Sequence, residues 1–156
     1  MSKASDGTGL PYQYATTGSN AVDEMRRVLS AFGAEDFGIM ENFSTGDLKA
    51  QFTYKGIPVT IEASAQGYAA AWLRHNPHSN KMKRTRIEHE QQARKQASIA
   101  VYSILRDWIK GQITAIEIGM MSFEGAFLGQ ILLPNGNSVL DAVKKNNLLP
   151  TPDDDA

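Results

Sequence analysis

The basic residues of this sequence are concentrated in one stretch, and together they have the chemistry of an anion-binding surface. Between Arg74 and Lys95, seven Lys and Arg residues stand against two Glu residues, a local net charge of +5. The whole chain carries −1, which leaves the rest of it at −6. A local excess of this kind attracts polyanions even when a protein is nearly neutral overall. The seven cations are Arg74, Lys81, Lys83, Arg84, Arg86, Arg94 and Lys95.

Four of these cations, from Lys81 to Arg86, lie where a loop enters a predicted long helix. The dipole of a helix favours anions at that end, so helix stability alone does not explain cations there. Exposed backbone N–H groups at a helix start also bind phosphate well. The pattern therefore predicts a phosphate-binding site, with Arg74, Arg94 and Lys95 at its margins. Its candidate ligands are DNA, RNA or a nucleotide.

Two aromatic residues, Tyr68 and Trp72, precede the basic stretch at helical spacing. Aromatic rings beside cations can form a surface on which proteins stack unpaired bases. The same four-residue spacing is also typical of a helix face that packs into a core. Both interpretations are open from the sequence, and we include the two rings in the predicted site.

All three histidines, His75, His78 and His89, fall in the same region. His75 and His78 have a spacing that could supply two metal ligands, with Glu88, His89 or Glu90 as a third. They lie, however, in a segment broken by proline and lack the HExxH helix of a zinc enzyme. We interpret them as polar loop residues and assign no metal, no cofactor and no catalytic residue.

Several functional classes find no support in the sequence. The absence of cysteine excludes disulfides, thiol catalysis and Cys-based zinc sites. There is no GxSxG motif, Walker loop or Rossmann fingerprint, so nothing points to an enzyme. No apolar run reaches the length of a membrane span, and the start lacks the apolar core of a signal peptide. We therefore expect a cytoplasmic protein with no membrane partner.

The periodicity of the remaining sequence predicts an α+β fold. A helix from about residue 21 should end at Gly33, before strands over 37–43, 48–54 and 57–63. Because short turns separate these strands, we expect an antiparallel meander. A short helix over 65–74, one long helix over about 83–119 and two short helices over 122–132 and 139–145 should follow. We expect a flexible lead-in over 1–18, a single domain over 19–147 and an acidic tail over 148–156.

The long helix suggests an interface between subunits. At ~1.5 Å per residue it would be on the order of 50 Å long, longer than a domain of this size is wide. A helix that overhangs its own domain would need cover for its apolar residues, which pairing between two copies would supply. The same side chains could instead close the core of one chain. The predicted interface residues are Ile109, Ile113, Ile116, Phe123 and Phe127.

Two motifs resemble a family of small proteins encoded by tailed phages and prophages. The first, Phe-Glu-x-x-Phe-Leu, spans residues 123–128, and the second is the Leu-Pro-Asn-Gly turn at 133–136. The stretch 25–40, a helix ending in Gly-Ala before a Phe-Gly strand, is similar to the usual opening of the family. The resemblance covers about 22–145. It implies a phage or prophage origin and action inside a bacterial host, and it brings no activity or catalytic residues.

These observations predict a phage accessory protein that binds nucleic acid or a nucleotide-like anion through the basic stretch, and that forms a homodimer. The alternative is a protein–protein inhibitor or adaptor that acts on a host component, in anti-defence or on a polymerase. In that case the exposed part of residues 123–133, or the polar face of the meander, would be the working surface.

Overall fold

The structure, a computed structural model, describes residues 9–16 and 19–152 and has the expected α+β architecture. Three antiparallel strands form one sheet in the order β1-β2-β3, and helices pack against it. The predicted lead-in and tail extend beyond the described residues at 1–8, 17–18 and 153–156. The elements are α1 (Ser19–Phe32), β1 (Asp36–Glu41), β2 (Leu48–Tyr54), β3 (Ile57–Ala63), α2 (Ala65–His75), α3 (Arg86–Glu117), α4 (Phe123–Phe127) and α5 (Val139–Lys145).

The sheet follows directly from the alternating sequence. Along β2 the residues at 48, 50 and 52 are buried, and those at 49 and 51 are exposed. Lys55 and Gly56, between β2 and β3, both have positive φ, as the tightest hairpin turns require. The first strand ends at Glu41, earlier than predicted. Asn42 begins the next turn instead, because its side-chain oxygen accepts hydrogen bonds from the backbone N–H groups of Ser44 and Thr45.

The long helix α3 runs without interruption through Gly111. It begins at Arg86, later than the predicted residue 83, because Thr85 caps it. The Thr85 side chain accepts a hydrogen bond from the N–H of Glu88, and the Glu88 carboxylate accepts one from the N–H of Thr85. Its 32 residues correspond to ~48 Å. No helix in the described part of the chain, α3 included, is long and apolar enough to cross a membrane.

The segment after α3 differs from the single helix predicted over 122–132. Ser122 caps the short helix α4, which passes into a 3₁₀ turn over Leu128–Gln130. The backbone of Ile131 and Leu132 then extends, and the N–H of Leu132 donates a hydrogen bond to the carbonyl of Pro58. This backbone pairing at the outer edge of β3 ends the helical conformation. The second predicted helix forms as α5, with the expected bounds.

One hydrophobic core joins α1, the sheet, α3 and α4. Phe127 of α4 lies at its centre, fully buried, with its ring edge-on to Phe52 of β2 and to Trp108 of α3. Edge-to-face ring pairs of this kind add to the hydrophobic stabilisation of the buried area. The buried members of the cluster are Met25, Leu29, Ala50, Phe52, Val59, Ile61, Leu105, Ile109, Ile113, Phe123, Ala126 and Phe127.

The position of Phe127 predicts a large loss of stability when its ring is removed. We expect Phe127→Ala to lower the free energy of unfolding by about 3–5 kcal/mol, since it leaves a cavity between the sheet and α3. Urea unfolding followed by circular dichroism measures the change. The matched control is Phe43→Ala, because the Phe43 side chain is 92% exposed and should change stability by no more than ~0.5 kcal/mol. Equal effects of the two substitutions would contradict this placement of the core.

Candidate anion-binding surface

Helices α2 and α3 form an antiparallel hairpin, and the loop that joins them carries the basic cluster. Near the open end of the hairpin, Ala65 of α2 and Ala97 of α3 belong to one buried cluster with Leu48 of β2. At the closed end, the ring of Trp72 on α2 lies 5.1 Å from that of His89 on α3. The first turns of α3 therefore pack on α2 and on the connecting loop. We call Lys81, Lys83, Arg84 and Arg86 the basic tip.

Two histidines hold the loop behind the basic tip. His89 is buried, and its Nε2 forms a short hydrogen bond with the carbonyl of Asn76. His78 Nε2 forms a second bond, at 2.9 Å, with the carbonyl of Arg84. A carbonyl oxygen only accepts hydrogen bonds, so the Nε2 atom of each of these two rings must carry a proton. The two rings lie 5.5 Å apart, and they fix the start and the end of the loop that presents the tip.

The cations of the basic tip are exposed, and none has an anionic partner within the described part of the chain. Among residues 9–16 and 19–152, the salt bridges involve Arg26, Lys49, Arg106 and Lys110, and none involves the seven cations of the basic stretch. The nearest carboxylate in sequence, Glu88, is bonded to the backbone of Thr85 in the helix cap. The positive charge of the tip is therefore not neutralised by this part of the molecule and is available to an external anion.

The remaining three cations fall into two places. Arg74 is exposed in the last turn of α2, next to the loop. Arg94 and Lys95 lie about 12 Å farther along α3 than Arg86. There they line a cleft that α3 forms with the start of α2 and with the turn between β1 and β2. The predicted site is thus one tip with a neighbouring cleft.

The predicted aromatic stacking surface is not available. Trp72 is only 8% exposed and packs against His89, so its faces cannot receive a base. Tyr68 is partly buried against the cluster that contains Ala65 and Ala97. Its hydroxyl donates a 2.6 Å hydrogen bond to the carbonyl of Pro11. Burial raises the pKa of Tyr68 to about 12. For these two rings the core interpretation is correct, because α2 uses this face to pack against α3 and the N-terminal segment.

The predicted subunit interface is also wrong in its residues. Ile109 and Ile113 are 0% and 1% exposed, and Phe123 and Phe127 are buried with them in the core of the same chain. Ile116 packs against that core as well. The sheet, α1 and α4 cover this face of α3, so the overhang expected at its C-terminal half does not exist. The exposed overhang is instead at the N-terminal end, where the basic tip lies.

Two surface features were missed by the sequence analysis. Phe43 was assigned to the end of a strand, but it lies in the turn after β1 with its ring in solvent. A second face of α3, from Ile104 and Trp108 to Ile118, also leaves apolar side chains exposed. Helical spacing would have grouped the latter residues, but nothing in the sequence shows that no other element covers them.

The described residues contain no group of three His, Cys, Asp or Glu side chains placed to hold a metal ion. The pair His78 and His89 lacks a third ligand there, and both rings already bond to backbone carbonyls. The two histidines are thus accounted for by their structural role in the loop.

Comparisons with protein-family models, with curated proteins and with solved structures found no match to this chain.

The burial of His89 generates a stability prediction. His89→Ala removes a buried ring and leaves the carbonyl of Asn76 without its donor, and we expect a loss of about 2–4 kcal/mol in unfolding free energy. His75→Ala is the matched control, because His75 is exposed and bonds only within its own helix. The measurement is urea unfolding, together with amide hydrogen exchange over residues 76–85. If both variants unfold like the parent and exchange in the loop is unchanged, His89 does not hold the tip.

Proposed function

We propose that this protein is a phage accessory protein that binds nucleic acid through the basic tip, in the cytoplasm of a bacterial host. The observation that carries the proposal is the set of exposed cations at the end of the α2–α3 hairpin, none of which forms an ion pair within residues 9–16 and 19–152. Side chains that serve only to solvate a surface are usually interspersed with carboxylates. Here the local charge is +5, and one of its two carboxylates is used in a helix cap.

The charge distribution also favours a long polyanion over a single small one. The tip cations extend from Lys81 to Arg86 on an exposed loop and helix start, and Arg94 and Lys95 add two exposed cations about 12 Å farther along α3. The rest of the chain carries −6, so its field repels the same ligand and orients it toward the hairpin. Successive phosphates of a nucleic acid can meet cations spaced in this way.

A charge-removal experiment tests the proposal. The quadruple variant Lys81→Ala, Lys83→Ala, Arg84→Ala, Arg86→Ala should bind DNA and RNA oligonucleotides at least about tenfold more weakly than the parent at moderate salt. If each cation meets one phosphate, the slope of log affinity against log salt should fall by up to ~2.8 for single strands and ~3.6 for duplexes. Fluorescence anisotropy titrations at several salt concentrations give both quantities.

The control for this experiment removes the same charge elsewhere. Arg26, Arg27, Lys144 and Lys145 are exposed on α1 and α5, outside the loop that carries the basic tip, so their replacement by alanine should leave the affinity and the salt slope near those of the parent. If the tip variant and the control variant bind alike, the basic tip is not the binding surface.

Protein binding is a second candidate function, and the exposed apolar face of α3 supports it. We define this face, the apolar strip, as Ile104, Trp108 and Gly111 of α3 together with Ile118, the residue that caps its C-terminal end. Ile118 is 70% exposed, and a side chain at Gly111 would meet nothing within 4 Å. Contiguous exposed apolar surface is typical of protein interaction sites. An inhibitor or adaptor that binds a host component would use such a face.

A second copy of the chain fits the symmetry of the apolar strip. Ile104 and Ile118 lie seven residues to either side of Gly111. Two antiparallel copies of α3 that cross at Gly111 would place each Ile104 against the Ile118 of the other copy. A twofold interface requires this kind of self-complementarity, and the missing side chain of glycine allows the two backbones to approach closely. The predicted homodimer would then use the apolar strip instead of the buried residues.

Light scattering tests this pairing. We expect a mass of twice 17.1 kDa at about 100 μM, and the mass of one chain for Ile104→Asp with Ile118→Asp. A matched control, Met40→Asp with Ile87→Asp, places the same charges at two other exposed apolar residues and should leave the mass unchanged. A parent protein of 17.1 kDa at this concentration would contradict self-association.

A further inference from the structure

A cleft of about 540 Å³ lies between the β1–β2 turn, the start of α2 and the first half of α3. Its lining includes four small residues, Gly46, Ala65, Ala69 and Ala97. Small residues leave room for a flat group to approach the backbone. A volume of this size falls in the range of pockets that hold small organic groups.

The ring of Phe43 stands at the edge of this cleft. Its side chain is 92% exposed, the largest exposed fraction among the large apolar residues in the described part of the chain. Within those residues, the ring contacts join other aromatic side chains and leave Phe43 without a ring partner. Exposing a phenylalanine so fully forgoes the stabilisation that its burial would give. A turn has no structural need for this ring.

Arg94 and Lys95 line the cleft from α3. Both are exposed, and neither takes part in a salt bridge within residues 9–16 and 19–152. A free aromatic ring beside unpaired cations is the combination with which proteins bind single-stranded nucleic acid, because bases stack on the ring and the cations contact the backbone.

The charge of the Glu41 carboxylate determines which part of a nucleotide the cleft can accept. Its carboxylate lines the cleft and accepts hydrogen bonds from the hydroxyls of Ser98 and Tyr102. Burial and the neighbouring Glu41 raise the pKa of Tyr102 to about 12. A phosphate next to this carboxylate would be repelled, whereas the amino group of a cytosine or adenine base can donate to it. The base therefore belongs in the cleft and the phosphates belong at Arg94 and Lys95.

We propose that this cleft holds one unpaired base of a single-stranded nucleic acid, stacked on Phe43, with the adjacent phosphates on Arg94 and Lys95. The inference rests on the proposed nucleic-acid function and specifies its ligand. The cleft is about 12 Å along α3 from Arg86, so one strand can contact the basic tip and the cleft together. In a duplex the bases are paired and stacked with each other, so a duplex can use the tip but not the cleft.

The test compares single-stranded and duplex ligands with a substitution that removes only the ring. We expect Phe43→Ala to weaken binding of a cytosine-rich 12-nucleotide single strand by roughly 5-fold to 100-fold, and of a 12-base-pair duplex by less than about 2-fold. Phe43→Trp should restore the single-strand affinity, because indole also stacks. The matched control is Met40→Ala, since Met40 is a similarly exposed apolar residue outside the cleft.

The outcomes separate this inference from the function on which it rests. If Phe43→Ala behaves like Met40→Ala on the single strand, or weakens both ligands equally, the base-binding cleft is wrong. The proposed function then still stands if the tip variant loses affinity for both ligands. If the parent protein binds neither ligand at low salt, the function and the inference both fail.

Discussion

The burial of one face of α3 determines which other surfaces of the molecule are free. Leu105, Ile109 and Ile113 are covered by the sheet, α1 and α4, so the C-terminal half of the helix is held by the core. The first turns of α3 lie outside that core and pack on α2 and on the loop between the two helices. A long helix anchored at one end in this way presents its other end as a projecting hairpin. The basic tip occupies that hairpin because the core leaves it free.

The sequence predicted the helices and strands better than it predicted which other elements pack against them. The bounds of β2, β3 and α5 agree with the structure because alternation, turn residues and a serine cap are local properties. The start of α3 was placed three residues early, since the basic loop has no helix breaker before Thr85. The α4 segment was predicted as one helix because nothing local shows that Ile131 and Leu132 pair with β3. Such pairing depends on a residue 72 positions away in the chain, since Ile131 pairs with Val59.

The difference between local and long-range interactions also explains which residues of the candidate site were predicted correctly. Periodicity shows which residues share a helix face, but it does not show what covers that face. It therefore grouped Ile109 with Ile113 correctly and gave them the wrong role. Trp72 was treated as an external ring for the same reason, although His89 lies against it. The cations were easier to place, because desolvating an unpaired charge is costly and keeps such residues at the surface.

The N-terminal segment 9–16 adds a tie across the two helices of the hairpin. Tyr68 of α2 donates to the carbonyl of Pro11, Gln96 of α3 donates to the carbonyl of Ala15, and Tyr12 donates to Asp107 farther along α3. These hydrogen bonds connect one short segment to both helices of the hairpin. Segment 9–16 therefore helps to hold α2 against α3, although Pro11 and Tyr68 are 57 residues apart in the chain. A protein that lacks the residues up to 15 would lose these three hydrogen bonds, and the α2–α3 hairpin that carries the basic tip would be held less firmly.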